Sequence, residues 1–125
     1  MLKEGFYTAL GTPVDEEGNI IKKSLIRHIE EQIEAGASGL LLLGSMGMEP
    51  YVKESEYGKI VRIAVDAVKG RCPLFVGAMD NSVWRIKEKL SAIGKADIDG
   101  IVLTTPYYYA SPAKDITAYF KAAAD

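Results

Sequence analysis

The sequence predicts a parallel α/β protein of four consecutive strand–helix units, the first half of a (β/α)8 barrel. Three observations carry this. Short aliphatic runs recur with starts near residues 6, 39, 73 and 100, which are 33, 34 and 27 residues apart, the size of one βαβ unit. Each run is free of polar alternation, as in a strand buried on both faces. Between the runs, apolar residues switch to spacings of three and four, the period of a helix with one buried face. A small doubly wound sheet is the competing architecture. Such a sheet usually keeps an edge strand short or polar, whereas the last run is as apolar as the inner ones. A complete barrel takes about 250 residues and this chain has 125. Residues 1–125 therefore read as the amino-terminal half of a barrel, a single or partial domain with no internal linker.

The elements follow in order. The first strand is Phe6-Tyr7-Thr8-Ala9-Leu10, closed by Gly11-Thr12-Pro13. Ser24 is placed to cap a helix in which Leu25, Ile26, Ile29 and Ile33 share a face and Glu30, Glu31 and Glu34 lie outside, with Gly36 as its stop. The second strand is Gly39–Leu43, and the helix after it carries Ile60, Val61, Ala64, Val65 and Val68 up to Gly70. The third strand, Pro73–Val76, leads to a helix from Ser82 with Val83, Ile86, Leu90 and Ile93 on its apolar side, ending at Gly94. The fourth strand is Gly100–Leu103. Its helix opens with Ser111-Pro112, a capping serine before a proline in the first helical position, and continues through Ile116, Phe120 and Ala123.

Composition excludes several classes. A chain 48% hydrophobic and 26% charged is globular rather than disordered. A net charge of −2 supplies no basic field for nucleic acid. The longest purely apolar run, Leu40–Leu43, falls far short of the roughly 20 residues that span a bilayer, and nothing near Met1 resembles a signal peptide. One cysteine, Cys72, makes no internal disulfide, so a reducing cytoplasm is the expected compartment.

In parallel α/β proteins the chemistry lies where strands deliver their carboxyl ends. That selects residues 11–13, 44–50, 77–82 and 104–109. In the second loop, Gly44 and Gly47 allow a sharp turn and close approach of amide N–H groups to an anion, and Ser45 adds a hydroxyl. An ordinary tight turn is the competing reading. In the fourth loop Tyr107, Tyr108 and Tyr109 follow a proline, where packing or an interface accounts for them equally. No feature indicates a metal: the turn lacks the His, Cys or clustered carboxylates that hold one.

Together, Phe6-Tyr7-Thr8-Ala9-Leu10-Gly11-Thr12-Pro13, Gly44-Ser45-Met46-Gly47 and Thr105-Pro106-Tyr107-Tyr108, with Gly36-Ala37-Ser38-Gly39 and Asp15–Ile20, resemble the dihydrodipicolinate synthase / N-acetylneuraminate lyase family. The likeness covers essentially the whole chain. It implies a (β/α)8 barrel, a homo-oligomer (dimer or tetramer), and a pyruvate-dependent carbon–carbon lyase or synthase acting through a lysine Schiff base, with no cofactor. The resemblance assigns the keto-acid carboxylate to the turn formed by Gly44, Ser45, Met46 and Gly47. Ser45 becomes a proton-relay residue, and Tyr108 reaches across a dimer into the neighbouring site. Met46 and Met48 stand where the family usually has threonine and glutamate, and Tyr109-Ala110-Ser111 replaces Asn-Arg or Asn-Lys. A different 2-keto acid lyase is therefore credible.

The family lysine belongs to a sixth strand, beyond Asp125. None of the lysines present qualifies as a substitute. Lys89 and most others fall in helices or flanking turns on polar sides, and Lys3 precedes the first strand at the wrong end. The chain alone is expected to be inert, with its first and fourth strands as open apolar edges. The alternatives are a non-catalytic half-barrel that binds a small carboxylate or only assembles with a partner, and a phosphate-binding barrel enzyme, disfavoured because such sites use later loops. The remaining singletons read as structural. His28 and Glu49 are surface residues, Cys72 lies at the strand-start end, Trp84 packs, and Asp97 and Asp99 sit at a strand start with no acid–base role. Asp80 and Asn81 lie at the functional end.

Overall fold

The computed structural model describes residues 4–125; Lys3 lies outside them. Strands β1 (Tyr7–Ala9), β2 (Gly39–Leu42), β3 (Leu74–Gly77) and β4 (Gly100–Val102) form one sheet in the order β1-β2-β3-β4, every pair parallel. They are connected by α1 (Lys22–Glu34), α2 (Glu54–Val68) and α3 (Val83–Ile93), and α4 (Ala113–Ala124) follows β4. The order separates the two candidate architectures. A doubly wound sheet reverses direction at a switch point, whereas this sheet advances one strand at a time, as a barrel does. Right-handed crossovers then lay all the helices on one face, and α1 packs on α2, α2 on α3 and α3 on α4. The chain is half of a (β/α)8 barrel.

The core lies between that face and the helices. The register aligns Leu40 with Leu74 and Leu42 with Val76. These four join Leu25, Ile29, Ile60, Val61 and Ala64 in one buried cluster. The opposite face is more open. Leu41 and Phe75 are half-buried, and the Tyr7 ring meets Phe75 edge-on with centroids 5.9 Å apart. β1 and β4 form the two edges, and there the expectation of burial on both faces fails. Ile101 is 36% exposed because an edge strand has one neighbour instead of two.

Several element starts differ from expectation. α1 begins at Lys22 with Ile21 as its N-cap, and Ser24 sits inside the first turn without a capping bond. A small hairpin decides this. Val14 bridges Ile20, Asp15 Oδ1 accepts the Asn19 N–H, and the Ile21 N–H donates to Pro13 O at 2.9 Å, which fixes the chain's direction into the helix. In α4 the N-cap is Pro112 rather than Ser111. Its buried side chains are Tyr119 and Ala123, with Phe120 half-buried beside Ile86. Ser82 is the N-cap of α3, yet its side chain makes no cap bond; Asp80 Oδ1 instead accepts the Ser82 N–H at 3.0 Å. No helix among the described residues is long and apolar enough to cross a membrane.

Candidate functional site

The four selected loops do gather at the carboxyl ends of the strands. Leu43 continues β2 in a left-handed conformation (φ 54°) and is fully buried. Such a backbone costs on the order of 1–3 kcal/mol for a residue with a Cβ, and its surroundings enforce it. The Leu43 carbonyl packs so tightly on Gly77 that a Cβ there would lie 2.0 Å from the oxygen. Gly47 is held in the same way. A Cβ on it would stand 3.1 Å from Leu10 O and from the Leu43 backbone, and its own carbonyl accepts the Thr12 hydroxyl at 2.7 Å. The turn of residues 44–47 is thus wedged between the ends of β1, β2 and β3: backbone fills the space where a Gly47 side chain would go, and the Leu41 side chain fills the space beside Gly44.

Within that wedge Gly44 and Gly47 are buried while Ser45 and Met46 are exposed. The Met48 N–H donates to Ser45 O and the Glu49 N–H to Gly44 O, at 3.1 and 3.4 Å. The Ser45, Met46 and Gly47 N–H groups donate to no acceptor among the described residues. Tyr108 is 75% exposed on the loop after β4, with its ring edge-on to Tyr109. The Tyr107 and Tyr108 N–H groups both donate to Asn81 Oδ1, at 2.8 and 3.0 Å. Ser45 and Tyr108 are on the same end of the sheet, and no hydrogen bond joins them directly.

Two residues assigned to the surface are buried at this end. Lys89 is 3% exposed and Glu49 2%. The Lys89 ammonium lies 2.5 Å from Glu49 Oε1 and donates to Met79 O at 2.8 Å and to Asp80 Oδ2 at 3.1 Å. Asp80 also receives Arg85 Nε at 2.8 Å, and Arg85 reaches on to Glu54 at 3.0 Å. Burial opposes the Lys89 charge, but the hydrogen bonds and charges of Glu49 and Asp80 outweigh it and hold the ammonium above the ordinary lysine range. Asp80 is likewise opposed by burial, yet the Ser82 N–H, Lys89 and Arg85 bring it below its ordinary value. For Glu49 burial wins, pushing its carboxyl up against the pull of Lys89. A lysine kept charged between two carboxylates is not a free nucleophilic amine, so Lys89 stays outside the Schiff-base role for a reason other than surface position.

Further corrections are local. His28 is half-buried and its Nε2 accepts the Gly11 N–H at 3.3 Å, so it supports the first loop from α1. Trp84 is 78% exposed and does not pack into the core. Tyr57 and Tyr119 emerge as pins of the third loop: Tyr57 donates to Gly77 O at 2.6 Å and Tyr119 to Asp80 O at 2.5 Å. Cys72 is half-buried at the start of β3, and Asp99 accepts the Leu74 N–H at that same end. Lys89 was detectable in sequence, since it stands three residues after Ile86 and four before Ile93 on the apolar stripe. Among the described residues no group of three or more His, Cys, Asp or Glu side chains is arranged to hold a metal ion.

Comparison with known proteins agrees with this architecture. The chain is 33% identical over 121 residues to the 4-hydroxy-tetrahydrodipicolinate synthase of Porphyromonas gingivalis, covering 97% of this chain and 41% of that protein. It is 34% identical over 122 residues to the same enzyme of Rhizobium meliloti, covering 98% and 42%. It superposes with a TM-score of 0.91 and 30% identity on YagE, an Escherichia coli K12 prophage protein of the dihydrodipicolinic acid synthase family solved in complex with pyruvate, over 100% of this chain and 42% of that one. A monomeric dihydrodipicolinate synthase variant matches with a TM-score of 0.86 and 30% identity, over 98% and 40%. The chain thus spans about two fifths of the length of these relatives. A family model described as the dihydrodipicolinate synthetase family matches residues 2–125, and with the sequential half-barrel and its strand-end loops already in place, the chain belongs to that family.

Proposed function

We propose that this chain supplies the carboxylate-binding part of a pyruvate-dependent carbon–carbon lyase or synthase. The observation that carries the reading is the turn of residues 44–47, with free amides and an exposed Ser45 hydroxyl at the carboxyl end of β2. A keto-acid carboxylate fits there: the amides of Ser45 and Met46 neutralise its charge without a cation, and Ser45 passes a proton to or from the substrate oxygen. Met46 in place of a hydroxyl residue leaves carboxylate binding to the backbone and shortens the relay, which suits a 2-keto acid lyase other than the synthase as well as the synthase itself. Tyr108, exposed on its loop, serves a neighbouring protomer's relay in a homo-oligomer. The imine-forming lysine is supplied from outside these residues, since Lys89, the lysine buried at this end, is held as an ammonium by Glu49 and Asp80.

The test is pyruvate titration followed by amide NMR, with borohydride reduction and intact mass on the same sample. The expected result is saturable movement of the Ser45, Met46 and Gly47 amide signals and no reduced adduct. Pyruvate that leaves those amides unmoved overturns the carboxylate assignment. A stoichiometric adduct on any lysine of the chain overturns the external lysine.

A further inference from the structure

The buried ionic group at the carboxyl end of the sheet links the loops on which the proposed chemistry rests. Lys89 joins two of those loops: its ammonium lies in ion-pair contact with Glu49 Oε1, directly after the turn, and donates to Met79 O and Asp80 Oδ2 in the loop after β3. Neither Glu49 oxygen has a hydrogen-bond donor, so the ion pair is what holds that buried carboxylate. The loop it grips is also held by Tyr57 on Gly77 O and by Tyr119 on Asp80 O. The next residue, Asn81, holds the Tyr107 and Tyr108 amides. A continuous path of short polar contacts therefore runs from the turn of residues 44–47 through Glu49, Lys89, Asp80 and Asn81 to the tyrosine loop.

The fold itself does not ask for a lysine here. Position 89 lies on the stripe of Ile86, Leu90 and Ile93 facing the protein interior, where an apolar side chain fills the same space without the desolvation of three charged groups. A buried ion pair adds direction rather than cohesion: it is satisfied in one relative placement of its partners and penalised in others. We propose that Lys89 is a positioning residue that sets the carboxylate turn and the Tyr107–Tyr108 loop in fixed relation to each other. The role of those two loops rests on the proposed keto-acid reading; the mechanical tie does not.

The experiment is hydrogen–deuterium exchange on the protein and on two variants, Lys89→Met and Lys89→Met/Glu49→Leu. The second variant also removes the carboxylate stranded by the first, so it separates loss of the tie from loss of stability. Melting temperature and the exchange of β2 and β3 amides report the fold. Lys89→Met is expected to lower the melting temperature and to speed exchange about tenfold or more, both at the hydrogen-bonded Met48, Glu49 and Tyr51 amides and at Tyr107 and Tyr108. The double variant is expected to recover the melting temperature while both loops stay fast, and to need about tenfold more pyruvate for the same Ser45 amide movement. Loop protection that returns together with the melting temperature, or that never changes in either variant, overturns the proposal and leaves Lys89 a structural residue. Loops that stay loosened in the double variant of a protein whose parent binds no pyruvate uphold the tie and remove the functional reading.

Discussion

Replacing Gly77 by alanine probes the wedge that shapes the candidate site. The new Cβ would lie 2.0 Å from the Leu43 carbonyl oxygen and 2.8 Å from its carbon. Real Cβ contacts stay beyond 3.0 Å, so the Leu43 peptide must retreat by at least about 1 Å, well outside any soft part of a van der Waals contact. The obstacle is backbone, with no flexible side chain to swing aside, and Leu43 is already in a left-handed conformation. Overpacking of a well-filled interior costs about 1–3 kcal/mol, and the upper end, about 3 kcal/mol, is expected here. Gly11→Ala is the control. Gly11 has nothing within 4 Å of the added Cβ and does not use positive φ, so that change is expected within about 1 kcal/mol of neutral. In urea titration, with a slope of about 1–3 kcal/mol per molar for a small protein, the two midpoints should differ by at least about 0.7 M. Because Leu43 leads directly into Gly44, the same variant should also displace the Ser45 and Met46 amide signals. A Gly77→Ala protein as stable as Gly11→Ala, with those signals in place, would refute the close approach on which this account of the turn depends.

Two further outcomes follow from the buried polar groups. Tyr57→Phe removes a buried hydroxyl that donates to Gly77 O at 2.6 Å. Loss of that bond is expected to cost about 1–2 kcal/mol, read as a lower urea midpoint at unchanged slope. The carboxyls of Asp80 and Glu49 should tilt the pH dependence in opposite directions. Asp80 titrates below its ordinary value of 3.8 in the folded protein, so its contribution is full above that value and is lost as pH falls through the folded value. Glu49 titrates above its ordinary 4.5, so its contribution is full below 4.5 and is lost as pH rises through the folded value. Unfolding free energies from about pH 3 to about pH 8 should therefore show Glu49→Gln gaining relative to the parent as pH rises, and Asp80→Asn losing its deficit toward acid. Curves that stay parallel at all pH values would contradict both assignments.

Local physics wrote most of the architecture into the sequence. Four aliphatic runs at βα spacing, glycines at the helix ends and turn residues after each strand are short-range signals, and each appears in the fold within a residue or two. The turn at Gly44–Gly47 was legible for the same reason, because sharp turns and close backbone approach demand glycine wherever they occur. Ser24 and Ser111 misled because a cap depends on the direction from which the chain enters. At α1 the Val14–Ile20 hairpin set that direction. Glu49 and Lys89 were read as solvated because a charged side chain is ordinarily surface unless a partner is present. Glu49 and Lys89 stand 40 residues apart, so no window of local sequence contains that pair, although the position of Lys89 on the apolar stripe of α3 and its nearer partners Met79 and Asp80 are local. Asn81 shows the same limit. Its sequence neighbours identify a strand-end loop, but only the packing of β3 beside β4 brings its carbonyl oxygen to the Tyr107 and Tyr108 amides. The sequence by itself thus determined the elements, their order and the glycine-framed turn after β2, all of which rest on backbone preference and hydrophobic period. The tertiary structure decided which charges are buried, which lysine is pinned and which loops are tied, because desolvation and ion pairing depend on distances that only the folded chain creates.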